Sequence, residues 1–136
     1  MIVAGYSGTP LVRKLGLKPP LDVLLIGAPA EYRRWLGDVP DGVSFTAAAK
    51  GRVKAVHVFT STRADLQGRL RTLRTQLEPD GFVWVSWPKK ASKVATDVTE
   101  DTIRELALPL GFVDVKVCAV SDVWSGLKLV IRKEER

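Results

Sequence analysis

Apolar positions recur along the chain with two spacings. Leu21–Ile26 is a nearly continuous apolar run stopped by Gly27, as expected of a strand buried on both faces. Val53–Thr60, rich in β-branched residues, reads as a second strand, and Phe82–Trp87, ended by Pro88, as a third. Phe112–Val120 alternates, which places Val113, Val115 and Val117 on one face and Asp114 and Lys116 on the other. Leu127–Arg132 is the last strand, and Val43–Thr46 is a short one. Helical spacing takes over in between. Leu66, Leu70, Leu73 and Leu77 form a stripe behind Thr62 as N-cap. Ile103, Leu106, Ala107 and Leu110 do the same behind Thr99, with Glu100 and Asp101 suiting the helix dipole. Shorter helices are predicted over Pro29–Leu36, closed by Gly37, and over Pro10–Leu15, with Thr9 as cap and Gly16 past the end.

Strands alternating with helices predict an α/β fold with a mostly parallel sheet of about six strands. The six residues Ser121–Gly126 are too few for a crossover, so the last two strands form an antiparallel hairpin. At 136 residues there is room for one domain. Residues 1–20, punctuated by glycines and prolines, read as an N-terminal leader segment, and residues 21–136 as the single α/β domain.

Hydrophobic residues make up 46% and charged residues 26%, a balance that excludes disordered and low-complexity classes. The longest apolar stretch, Val23–Ala30, is far shorter than the ~20 residues a membrane helix needs. A single cysteine, Cys118, forms no internal disulfide, and no Cys/His cluster for a metal is visible. The expected compartment is the cytoplasm, with no membrane partner. The net charge of +6 is unevenly placed: residues 1–20 carry three basic and no acidic side chains, whereas residues 101–136 are neutral. The excess belongs to the leader, the middle helix and the loop after Trp87, and it favours an anionic partner.

The phrase Leu77, Pro79, Asp80, Gly81 ahead of a strand, and the later Leu110, Gly111, Phe112, Val113, resemble the second half of the class I (Rossmann-like) methyltransferase fold, over Val53 to Lys133. The resemblance implies a three-layer sheet and an S-adenosylmethionine site beyond the strand ends. The first half departs from that pattern. The loop Ile26-Gly27-Ala-Pro-Ala-Glu31 has one glycine where a glycine-rich turn would cradle the cofactor, and no acidic residue follows Val43–Thr46 to hold ribose hydroxyls. A strand–helix unit is also missing from this half. The blocks YSGTPLVRKLG and VSWPKKAS further resemble a family of short, mostly bacterial proteins of unknown function.

In an open α/β sheet, ligands bind beyond the carboxyl ends of the strands. Gly27–Glu31, Thr60–Arg63 and Ser86–Lys93 are expected to gather there, with the leader folded across them. Gly27 would let a ligand approach the first strand. Thr60, Ser61 and Arg63 open a helix and suit a phosphate or carboxylate. Ser86, Trp87, Lys89 and Lys90 suit a flat anionic ligand. Tyr6 and Ser7 are unusual residues for a tail and would dock on these loops. Arg63, Gln67, Arg71 and Arg74 run along one helix flank, a weaker argument for nucleic acid because no aromatic residue is interleaved. His57 is expected to be structural and Cys118 inert; Trp124 anchors the final hairpin. No catalytic constellation and no metal set is found. The sequence therefore reads as a non-catalytic module on a degenerate methyltransferase-like fold, binding a small anion or a protein partner. S-adenosylmethionine is disfavoured as cofactor. The alternatives are a small methyltransferase with an atypical cofactor loop and a basic nucleic-acid-binding protein.

Overall fold

The computed structural model describes residues 9–136. In chain order they form α1 (Leu11–Lys14), β1 (Leu21–Ile26), α2 (Tyr32–Leu36), β2 (Val43–Thr46), β3 (Val53–Phe59), α3 (Arg63–Gln76), β4 (Leu77–Pro88), α4 (Glu100–Ala107), β5 (Phe112–Ala119) and β6 (Trp124–Ile131). The six strands make one sheet in the order β2-β1-β3-β4-β6-β5. The first four are mutually parallel, and β6 runs antiparallel to both β4 and β5. The expected α/β architecture with a terminal antiparallel hairpin is therefore present. The hairpin does not simply extend the sheet, because β6 inserts between β4 and β5 and leaves β5 as an edge.

Alternation along the strands sends side chains to two cores. On one face α3 contributes Leu66, Leu70 and Leu73, and α4 contributes Ile103, Leu106 and Ala107, packed on Leu24, Val56, Val58, Val83, Val85, Trp87, Leu127 and Leu129. On the other, α1 and α2 supply Leu11, Val12, Leu15, Tyr32 and Leu36 against Val23, Ala55, Phe59 and Trp84. Part of the segment read as a leader is thus core. The Trp84 indole Nε1–H donates to the Leu15 carbonyl at 2.9 Å, pinning the C-terminal end of α1 to the sheet.

Local details follow from the sequence with three differences. Thr62 caps α3 by accepting from the Asp65 N–H, and Thr99 forms a capping box with Thr102. Thr9 caps nothing, since the N-cap position of α1 is Pro10. The turn expected at Glu78–Gly81 survives as an irregularity inside β4: Val53 pairs with Leu77 but Ala55 with Phe82. Gly81 is required there, because a Cβ would lie 2.7 Å from the Lys54 carbonyl oxygen. In β5 the alternation breaks, with a register shift between Asp114 and Lys116. Val115 is the extra residue, so Val113, Val115 and Val117 do not share one buried face; Val115 and Val117 are 54% and 48% exposed.

The missing strand–helix unit has a visible consequence. Residues 47–52 link β2 to β3 without a helix, and only Ala49 packs against the α3-side core. The outer part of that face carries Asp22 and Ser44, joined by a 3.0 Å hydrogen bond, where a covered sheet would carry apolar residues.

Inside the other core lies a polar chain. His57 stands with Nδ1 2.8 Å from the Tyr32 hydroxyl and Nε2 2.7 Å from the Ser86 hydroxyl, all three buried. A neutral imidazole donates at one nitrogen and accepts at the other, so it satisfies both neighbours. Burial lowers the His57 pKa from 6.5 to about 3 and raises that of Tyr32 above the ordinary phenol range. Below pH 6.5 the unfolded chain takes up a proton that the folded chain refuses, so stability falls as pH falls from 6.5 toward 3. The slope reaches about 1.4 kcal/mol per pH unit, or about 2 kcal/mol between pH 7 and pH 5. Urea unfolding across that range should show this loss. The variant His57→Phe should flatten it and cost about 1–3 kcal/mol at pH 8, by orphaning two buried hydroxyls.

Candidate functional site

The carboxyl ends of β1, β3 and β4 do come together. Gly27 follows β1 with φ of +69°, and a Cβ on it would meet the Phe59 carbonyl oxygen at 2.8 Å. The Thr60 N–H donates to the Ser86 carbonyl at 3.0 Å. The expected loops therefore meet at one crest, but the side chains predicted to serve a ligand there divide into separate groups.

Ser86 belongs to the buried Tyr32–His57 chain and points into the core. Thr60, Ser61 and Arg63 sit at the N-terminus of α3, where groups of the chain itself already occupy the Arg63 and Asp65 N–H donors and the Thr60 hydroxyl. Asp97 accepts from the Arg63 N–H at 2.6 Å, and the Thr60 hydroxyl donates to Asp65 at 2.7 Å. The Ser61 carbonyl accepts from the Thr96 hydroxyl at 2.7 Å and the Asp97 N–H at 3.3 Å. The Arg63 guanidinium pairs with Glu105 at 2.8 Å. A phosphate or carboxylate site at this turn, as expected from the sequence, would have to displace these partners. Sequence alone ties Asp97 to the helix start at Thr99; its carboxylate instead serves α3, 34 residues earlier.

Trp87, Lys89 and Lys90 lie on a different wall. Trp87 shares its face with Val83 and Val85, as alternation predicts, and is only 6% exposed, so its ring floors the site rather than offering a stacking face. Beyond it runs a groove of about 830 Å³. Pro88 and the short 3-10 turn Lys90–Ser92 form one side, Val94–Val98 the end, and Glu100, Asp101 and Arg104 of α4 the other. The Lys89 N–H donates to the Val123 carbonyl at 2.8 Å and anchors the turn to the β5–β6 hairpin. Lys93 closes it in the left-handed region, at φ of +61°. Arg104 is committed to Glu100, Asp101 and Asp114 at 2.8, 3.3 and 3.0 Å, and Asp114 and then Glu100 raise its pKa. Lys89, Lys90 and Lys93 pair with no carboxylate among the described residues. Thr96, Asp97 and Arg104 were not singled out by the sequence as members of this site; the partners of Thr96 and Asp97 are 35 and 34 residues away along the chain.

A second groove of about 740 Å³ lies on the other side of α3, where the sheet is uncovered. Gly27, Ile26, Ala47 and Ala49 face Ala64, Gly68 and Thr72 of the helix across it. At the end of β2 the Thr46 hydroxyl donates to the Ala48 carbonyl at 3.0 Å, and no carboxylate lines this groove except Asp65. Of the basic helix flank, Arg63 and Arg74 are engaged, Arg74 donating to the Leu110 carbonyl at 2.8 Å. Tyr6 and Ser7 lie outside the described residues. No group of metal-ligating side chains occurs among the described residues, and no helix there is long and apolar enough to cross a membrane.

The Asp97 bond both caps α3 and holds the groove's end loop. Asp97→Ala should therefore cost about 1–2 kcal/mol in urea unfolding. It should also speed amide hydrogen exchange at residues 93–98 relative to the strands.

Solved structures share this fold. A ribosomal protein L11 methylase from Lactobacillus delbrueckii subsp. bulgaricus superposes with a TM-score of 0.56 at 15% identity, covering 89% of this chain and 74% of that one. A protein described as a type 11 methyltransferase from Sulfolobus solfataricus gives 0.61 at 15% identity, covering 93% and 92%. The glycopeptide N-methyltransferase MtfA, solved with S-adenosylmethionine, gives 0.56 at 13% identity, covering 89% and 86%. At such identities the likeness is one of fold alone: a methyltransferase-like, Rossmann-type sheet. No curated protein matches the sequence. A family profile does match residues 48–133, from the link after β2 through all of β6, and the chain belongs to that family, a protein of unknown function designated DUF3052.

Proposed function

We propose that this chain is a non-catalytic binding module on a methyltransferase-like fold, and that the groove between Trp87 and Arg104 receives a small anionic ligand. One observation carries the reading. At the crest, the chain's own Asp97 takes the Arg63 N–H and Asp65 the Thr60 hydroxyl, while Lys89, Lys90 and Lys93 beside the groove have no carboxylate partner among the described residues. Ammonium groups on one rim of a concave site raise the local concentration of anions and orient them. The groove's volume is in the range of small-molecule sites.

S-adenosylmethionine, which the fold implies, does not fit the residues present. Gly27 is the single glycine of its loop and is followed by Pro29; the end of β2 offers the Thr46 hydroxyl, already donating to Ala48, and no carboxylate. The link 47–52 supplies no further strand or helix to close over an adenosine. The likeness to methyltransferase structures keeps a second reading, an enzyme with an atypical cofactor loop, in view.

Thermal shift separates the two, because a ligand of the folded state must stabilise it. S-adenosylmethionine and S-adenosylhomocysteine at 1 mM should leave Tm unchanged; a dose-dependent rise would overturn this reading in favour of the enzyme one. Inorganic pyrophosphate and benzoate serve as probes of the groove. At least one should raise Tm and perturb tryptophan fluorescence, and the double variant Lys89→Ala, Lys90→Ala should weaken that binding by about tenfold, roughly 1.4 kcal/mol. Affinity for nucleic acid that falls steeply with salt would point to the third reading, a basic nucleic-acid binder.

A further inference from the structure

Among the described residues β5 is the last strand of the sheet and pairs on one side only, with β6. Its other edge presents backbone N–H and C=O groups with no partner strand among the described residues, the arrangement that accepts an added strand. The two faces of this edge differ in chemistry. On the α4 side Val117 stands opposite Leu127 and is 48% exposed; Val115, the unpaired residue of the bulge two positions earlier, is 54% exposed. Few other large apolar residues are exposed, so two in one edge strand are a local concentration.

On the α1 side the same strand carries Lys116, paired across the ladder with Lys128. The Lys116 ammonium donates to the Lys14 carbonyl at 3.2 Å, and that of Lys128 sits 4.7 Å above the Phe82 ring. Neither lysine pairs with a carboxylate among the described residues. Burial, and then Lys116, lowers the Lys128 pKa, as expected for adjacent like charges lacking a counter-ion.

We propose that the free edge of β5 binds an extended acidic segment of another protein as a seventh strand. Its alternate side chains would be apolar, lying on Val117, and acidic, facing Lys116 on the face that Lys116 shares with Lys128. A second copy of this chain is the wrong occupant. Edge-to-edge pairing of two β5 strands would bring their Lys116 side chains onto one face at the seam, each with a Lys128 behind it on β6, and like charges set against each other in a sheet are destabilising. The bulge at Val115 interrupts the edge and leaves Lys116–Ala119 as its regular pairing stretch. This surface is separate from the groove at Trp87, and the proposal does not rest on that site.

The test uses the full chain and a fluorescein-labelled octapeptide alternating valine and glutamate. Fluorescence anisotropy should give a Kd on the order of 10–100 µM, and the same peptide with lysine for glutamate should bind at least tenfold more weakly. Amide hydrogen exchange should slow at Lys116–Ala119 when the acidic peptide is added. Val117→Asp should lose at least tenfold in affinity. Lys116→Glu should do the same, and Lys116→Gln, which keeps an N–H donor for the Lys14 carbonyl, should weaken binding with Tm unchanged. Absence of binding at 1 mM, equal binding of the lysine peptide, or protection falling on residues 87–104 would each overturn the proposal.

Discussion

The hydrogen bond from the Arg63 N–H to the Asp97 carboxylate, 2.6 Å long, governs what this fold can offer a ligand. An open parallel sheet collects helix N-termini and their unpaired N–H groups at one edge, and something negative must satisfy them. In many α/β proteins a bound phosphate or cofactor does so. Here the negative group comes from a loop 34 residues further along the chain. The same bond and the Thr96 hydroxyl tie that loop to Ser61, and so shape the end of the groove beyond Trp87. One interaction thus closes the usual anion position and builds the wall of a different one. A cap of this type is worth about 1 kcal/mol, modest for the whole fold but decisive for a loop with little buried apolar surface of its own.

The second constraint is the missing layer. Helices need an apolar stripe and sheets an apolar face because each must be covered. With residues 47–52 crossing directly from β2 to β3, part of the sheet on the α3 side has no helix above it among the described residues. The chain responds with Asp22 and Ser44 at the outside and with small residues, Ala47, Ala49, Ala64 and Gly68, where the surface turns inward. The methyltransferase-like outline therefore survives without the part that would close over a nucleoside. The polar Tyr32–His57–Ser86 chain shows the same economy inside the opposite core: every buried hydroxyl and ring nitrogen finds a partner, and no side-chain polar atom buried among the described residues is left unsatisfied.

What was legible in the sequence was local. Strand and helix identities followed from periodicity, and Thr62 and Thr99 as caps from position, because neighbours a few residues apart determine both. Trp87 facing the side of Val83 and Val85 followed from the pleat. What was not legible was whatever depends on distant partners. Ser86 looked like a crest residue until His57 drew its hydroxyl inward, and Arg63 like a ligand contact until Glu105 and Asp97 took its donors. The bulge at Val115 was equally hidden, since strict alternation reads as a flat strand and one extra residue reverses every later side chain.

That reversal changes how charge should be counted. By sequence, residues 101–136 are neutral, and the basic character of the chain belongs elsewhere. In space the signs separate. Asp101 and Asp114 gather around Arg104 on the α4 side of the sheet, whereas Lys116 and Lys128 emerge together on the α1 side. Without the bulge, Lys116 would share the face of Asp114. With it, the lysine crosses to the face of Lys128, and an edge that alternation alone would make ordinary becomes apolar on one side and cationic on the other. A bulge and a lysine are also the usual means by which an edge strand resists pairing with its own kind. Here the two roles are compatible, because charge that repels a second copy of the same edge attracts an acidic one.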